Sequence, residues 1–205
     1  MQPYPVQFEM TRPQEFERHH VALRLVVLGV LTMLGVSLGW TFALLYLLLP
    51  AYAALTVGKH GPDRFLADDA PAVTRFLRWV LAFYAYLAVL TDRLPTSAAE
   101  IDARYEVTPT GPPRAGSALA RLLTSIPAVI FLAVLGVIGC VTWVFQMLTV
   151  LLHKQVPESL YGVQLGVMRF QARLLAYHAS LVDEYPPFTL DTHAGTAAPT
   201  ASGMA

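Results

Sequence analysis

Charge is scarce in this sequence. Of 205 residues, 14% are Asp, Glu, Lys or Arg and 55% are apolar. A soluble domain carries roughly 25% charged residues, so much of this surface has no need to meet water. Basic and acidic side chains number 14 each, which leaves no basic excess to grip nucleic acid. A single cysteine, Cys140, excludes an internal disulfide, and no Cys/His grouping has zinc-site spacing. There is no Gly-rich phosphate loop, nucleophile elbow or paired-carboxylate arrangement. The expectation is therefore a chain that is not an enzyme and that needs neither cofactor nor metal. The first twenty residues hold Glu9, Glu15 and Glu17 and lack the apolar core of a signal peptide. Only two basic residues are lysines and twelve are arginines, a bias typical of high-GC bacterial genomes.

Long uncharged runs take the place of charge. Leu25 to Leu49 is 25 residues without a charge, about 37 Å as helix and enough to cross a hydrocarbon core of roughly 30 Å with tilt. Pro50 is expected to kink or end it. A second run, Leu122 to Leu152, is 31 residues long and contains Pro127. A short surface turn before Pro127 and a spanning helix after it is the economical reading. Neither run contains a carboxylate or lysine, which argues against an ion-coupled pump. Residues 71–91 and 158–182 read as further helices, the first with Arg75 and Arg78, the second with Arg169 and Arg173. Short strands are expected at Tyr4–Met10, where apolar and polar side chains alternate, and at Tyr105–Val107.

The two halves resemble each other. Arg78-Trp79, Ala85-Tyr86, Asp92 and Pro95 are matched by Arg169-Phe170, Ala176-Tyr177, Asp183 and Pro186, all displaced by 91 residues. Upstream, Phe8-Glu9-Met10 corresponds loosely to Tyr105-Glu106-Val107, and Ala22-Leu23 to Ala118-Leu119. The shared order is strand, long apolar helix, polar loop, arginine-bearing helix, Asp, Pro. The expected fold is thus an all-α integral membrane protein of two pseudo-repeats. Each would hold a short N-terminal strand, one long transmembrane helix and one arginine-bearing amphipathic or short membrane helix. The boundaries are 1–98, 99–191 and a disordered Ala/Thr/Pro/Gly/Ser tail at 192–205.

Tyr4-Pro5-Val6-Gln7-Phe8, the stretch Arg169 to Tyr177 and the stretch Asp183 to Asp191 resemble an uncharacterised bacterial membrane family, domain of unknown function 4389. The resemblance covers most of the chain, about one family unit per half. It fits the second half better: Ala82 stands where the second half has Arg173, and Pro95 lacks the Pro-Phe extension that follows Pro186. It implies a membrane protein and supplies no activity.

Arginines inside an apolar helix call for an explanation, because each costs about 2.5–3.5 kcal/mol at the centre of a span. Gly162, Gly166, Arg169, Arg173, Ala176 and Ser180 fall on one small, polar stripe at 100° per residue. Such a helix either lies in the interface with its arginines on lipid phosphates or inserts with them facing protein. The lipid or ion-pair residues are therefore Arg78, Arg169, Arg173, Asp92 and Asp183. If the two arginine helices run antiparallel, Arg78 meets Asp183 and Arg169 meets Asp92. His19-His20 lacks a third ligand and reads as an interfacial polar patch. The expected setting is the bacterial inner membrane, with several passes. The expected role is a structural or accessory subunit, partnered by a membrane protein or a second copy. The alternative is a lipid- or small-molecule-handling protein with an arginine-lined site for anionic phospholipid.

Overall fold

The computed structural model describes residues 4–35, 37–96 and 101–191. The expected disorder of 192–205 lies outside them. Strand β1 (Val6–Glu9) precedes helices α1 (Arg18–Met33) and α2 (Leu38–His60). A short turn, α3 (Pro62–Arg64), runs through a π-helical segment at Phe65–Asp69 into α4 (Ala70–Leu87). Strand β2 (Arg104–Val107), α5 (Ala115–Thr124), α6 (Ile126–His153) and α7 (Glu158–His178) follow. The strands pair antiparallel, with Phe8 opposite Tyr105 and Val6 opposite Val107. Val6, Phe8 and Tyr105 turn to the core while Gln7, Arg104 and Glu106 face out, the period-2 alternation of a one-sided ribbon.

The first apolar run is not one helix. It breaks after Met33 and resumes at Leu38. Gly35 takes a positive φ of 71°, and the Leu34 and Gly35 amides close on the carbonyls of Val30 and Thr32. The Ser37 side chain then accepts from the Trp40 amide at 3.0 Å. Gly just past one helix and Ser before the next are local stop and start signals, and they override the continuity of the apolar run. Pro50 lies inside α2 and does not end it. The second run divides at Pro127 as expected, but a ten-residue helix, α5, with Ala118 and Arg121 buried, stands before it in place of a short surface turn. Pro127 sits in the first turn of α6, where its missing amide costs nothing.

Helix α7 forms the centre. Leu165, Phe170, Ala172, Leu174, Leu175 and Ala176 are wholly buried, and Gly162 and Gly166 on the expected polar stripe are buried as well. A helix in the membrane interface would expose one face, so the interfacial alternative for this segment gives way to a helix enclosed by protein. Helix α4 keeps one open side: Val73, Leu77, Leu81 and Ala85 are buried while Arg75, Phe76 and Trp79 are exposed. Outermost are two helices long and apolar enough to cross a membrane, Gly39–His60 and Ile126–His153, whose most apolar stretches are 28% and 22% buried. Core helices of a soluble protein would be mostly covered. Here Leu44, Leu47, Leu48, Leu55, Val134, Val137, Val141 and Phe145 are exposed.

The two halves of the chain interlock. Arg12 donates to the Val156 carbonyl at 2.6 Å, and the Phe16 amide to the Lys154 carbonyl at 2.8 Å. The Tyr46 hydroxyl reaches the Leu122 carbonyl at 2.6 Å, and Trp143 Nε1 the Leu87 carbonyl at 2.8 Å.

The break between α1 and α2 yields a signed test. A Cβ at Gly35 or at Gly29 meets no atom within 4 Å, so only backbone conformation separates the two sites. Gly35→Ala should lower stability by about 1 kcal/mol, because L-residues disfavour the left-handed region. Gly29→Ala, inside α1, should raise it by roughly 0.5–1 kcal/mol. Denaturant unfolding in mixed micelles checks both signs.

Candidate functional site: arginine clamps at two helix ends

The last carbonyls of an α-helix have no partner within it, and both α4 and α7 end deep in the protein. Their ends are built alike. After α4, the Val89 amide returns to the Tyr86 carbonyl and the Leu90 amide to Ala85, with Val89 at φ 60°. After α7, Ser180 returns to Tyr177 and Leu181 to Ala176, with Ser180 at φ 56°. This is the Schellman closure, which normally places Gly in the left-handed position. Valine there is strained, so something else must hold the turn.

An arginine from another helix does so at each end. From α1, Arg24 Nε donates to the Tyr86 carbonyl at 2.7 Å, and Nη2 to the Thr91 carbonyl at 2.7 Å and Asp92 Oδ1 at 2.8 Å. Its guanidinium lies 4.7 Å from the Tyr86 ring centre. From α5, Arg121 Nη1 donates to the carbonyls of Tyr177 and Val182 at 2.5 and 2.6 Å, and Nη2 to Asp183 Oδ1 at 2.5 Å. Its guanidinium lies 4.6 Å from the Tyr177 ring centre. Both arginines are buried, at 0% and 3% exposure. A cation at a helix C-terminus also opposes the negative end of the macrodipole.

The carboxylates are second anchors. Asp92 Oδ2 accepts the Glu17 amide at 2.7 Å, fixing the start of α1. At the other end the Asp183 amide donates to Thr110 Oγ1 at 2.9 Å, and Gly111, at φ 73°, passes so close that a Cβ would meet Asp183 Oδ2 at 2.5 Å. Beside this clamp a cleft of about 410 Å³ is lined by Pro112, Arg114, Ser117, Arg121, Tyr177 and Asp183.

A third cluster gathers the other expected arginines. Arg169 donates through Nε to the Phe8 carbonyl at 3.2 Å, through Nη1 to the Asp191 carbonyl at 2.8 Å, and through Nη2 to both Glu9 carboxylate oxygens at 3.1 Å. Arg173 pairs with the Asp191 carboxylate and lies over the Tyr4 ring. The Tyr4 hydroxyl donates to the Glu184 carbonyl at 2.9 Å. Burial, reinforced by the Glu184 charge, pushes the Tyr4 phenol well above its usual range, so it stays a donor. Arg78 stands apart, donating to the carbonyls of Ala103 and Ile101 at 2.8 and 3.1 Å.

The five expected residues are therefore divided among separate stations. The crossed pairs are not formed: Asp92 pairs with Arg24 and Asp183 with Arg121, in place of Arg169 and Arg78. Arg24 and Arg121 are not among the residues expected from the sequence, although each stands directly before one of the two uncharged runs. Their signal is spacing. They are 97 residues apart, the same displacement that relates Phe8 to Tyr105.

Residues 116–189 match the family model described as Domain of unknown function (DUF4389). The DUF4389 segment opens in α5 and takes in Arg121, Tyr177, Val182 and Asp183, the whole of the second clamp. No curated protein and no solved structure matches the chain.

Removing an arginine leaves buried carbonyls unpaired and a carboxylate without its counter-charge. Arg24→Ala and Arg121→Ala should each cost about 3 kcal/mol or more. Asp183 is half exposed, so water replaces part of what Asp183→Asn loses, and that variant should cost about 1 kcal/mol. The ranking is checked by unfolding each purified variant under the same detergent conditions.

Proposed function

We propose that this chain is a membrane protein made of two interlocked copies of one unit, and that it acts as a structural or accessory subunit of a membrane assembly. The observation that carries the reading is how its cations are used. Arg24, Arg121, Arg78, Arg169 and Arg173 all bind the protein's own carbonyls and carboxylates. None of these five is left to process a substrate. The duplicated helix ends, displaced by 91 residues, and the duplicated arginines, displaced by 97, support descent from one unit. The pairing of Phe8 with Tyr105 sets corresponding residues opposite each other, as a local two-fold axis would.

The exposed apolar faces of α2 and α6 support a bilayer setting, since that much contiguous apolar surface needs lipid or a partner. On this reading the two outer helices meet lipid, and the clamps hold the ends of helices that the rest of the protein encloses. A bacterial inner membrane with several passes is the setting proposed.

One observation favours a second reading, the handling of anionic lipid. The cleft beside the second clamp carries Arg114 and the Ser117 hydroxyl at the start of α5, donors suited to a phosphate.

Gentle solubilisation of the native protein followed by native mass spectrometry separates the two. A stoichiometric protein companion is expected. A chain that travels alone with bound phospholipid, released by Arg114→Ala, would overturn the accessory reading in favour of the second.

A further inference from the structure

The start of α1 holds a group that neither clamp uses. Glu17, His19 and His20 each offer one ligand atom, and these atoms lie within 4.8 Å of one another. His19 Nδ1 is 3.0 Å from Glu17 Oε2, and the two imidazole rings are 4.4 Å apart. Neighbouring ligands on a tetrahedral ion, each about 2.0–2.1 Å from it, stand about 3.3 Å apart, so the cluster needs only small side-chain rotations to close on one.

We propose that Glu17, His19 and His20 form a binding site for a divalent transition-metal ion of the zinc type. Two imidazoles and one carboxylate suit zinc, copper or nickel, whereas magnesium and calcium take all-oxygen sets. Three protein ligands leave a fourth position for water. Access is open, because the side chains of Glu17 and His19 are 68% and 67% exposed.

The surroundings are arranged as a metal site requires. His20 Nδ1 lies 3.2 Å from the Tyr86 hydroxyl, which leaves Nε2 for the ion and orients the ring, as outer partners of ligating histidines do. The Glu17 amide is held by Asp92 Oδ2, and Asp92 in turn by Arg24. The first clamp thus sets the backbone that presents all three ligands. The Glu17 carboxylate supplies the negative charge that offsets the positive end of α1, which a cation would otherwise face; Asp92 is already paired with Arg24. The second unit has no counterpart: 97 residues on from Glu17, His19 and His20 stand Arg114, Gly116 and Ser117.

The test uses the full-length protein in detergent, with any histidine tag removed, titrated calorimetrically with Zn²⁺. One ion per chain is expected to bind, with affinity falling at least tenfold in His19→Ala, in His20→Ala and in Glu17→Gln. His153→Ala, outside the cluster, should bind as the unchanged chain does. Zn²⁺ should also raise the melting temperature of the unchanged protein and not that of His19→Ala. His19 is exposed and makes no clamp contact, so its removal reads the ligand and not the fold. Absence of binding at saturating Zn²⁺, or undiminished binding in all three cluster variants, would overturn the proposal.

Discussion

A buried helix C-terminus is the constraint on which the rest depends. Water cannot reach its last carbonyls, and unpaired buried carbonyls cost about 1–3 kcal/mol each. Here a guanidinium from a neighbouring helix covers them, and one planar group serves two carbonyls and a carboxylate together. Arginine suits the task because its donors form a fixed fork and its charge survives burial. The aromatic face of Tyr86 or Tyr177 beneath the guanidinium adds a favourable contact. Valine and serine can then occupy left-handed positions where glycine would be usual, because the turn is held from outside.

The clamps tie sequence-distant segments together. Arg24 joins α1 to the end of α4, and Arg121 joins α5 to the end of α7. Helix α1 also packs on α6 and α5 on α2, so each half is braced by the other. Arg169 closes the assembly by fixing β1 and the segment ending at Asp191 to the middle of α7. Its carboxylate partner, Glu9, is supplied by the first strand. On the two-unit reading, neither unit retains its packing alone.

Much of this was legible in the sequence, for physical reasons. Period-2 alternation marks Val6–Glu9, uncharged length marks Ile126–His153, and Pro127 marks where the second run divides. Asp92 and Asp183 stand out because they recur 91 residues apart, just past corresponding helices. What could not be read was the partner. Arg24 and Arg121 each stand directly before one of the uncharged runs, and which arginine reaches which aspartate is set by packing over 62 to 68 residues of separation. The break at Gly35 was written in its neighbours, Leu34-Gly35 and Ser37, yet the apolar run around it masked the signal. The polar stripe of α7 was misleading in the same way: periodicity locates small and charged residues on one side but does not say whether water, lipid or protein covers them.

The measurement that bears most directly on the clamp is backbone hydrogen exchange in lipid nanodiscs, with each arginine replaced in turn by methionine. If the guanidinium holds its helix end, Arg24→Met will speed exchange at Ala88, Val89 and Leu90 and leave Ala179, Ser180 and Leu181 protected. Arg121→Met will do the reverse. Exchange that is unchanged at the end belonging to the replaced arginine would contradict the account, because the turn would then be holding itself.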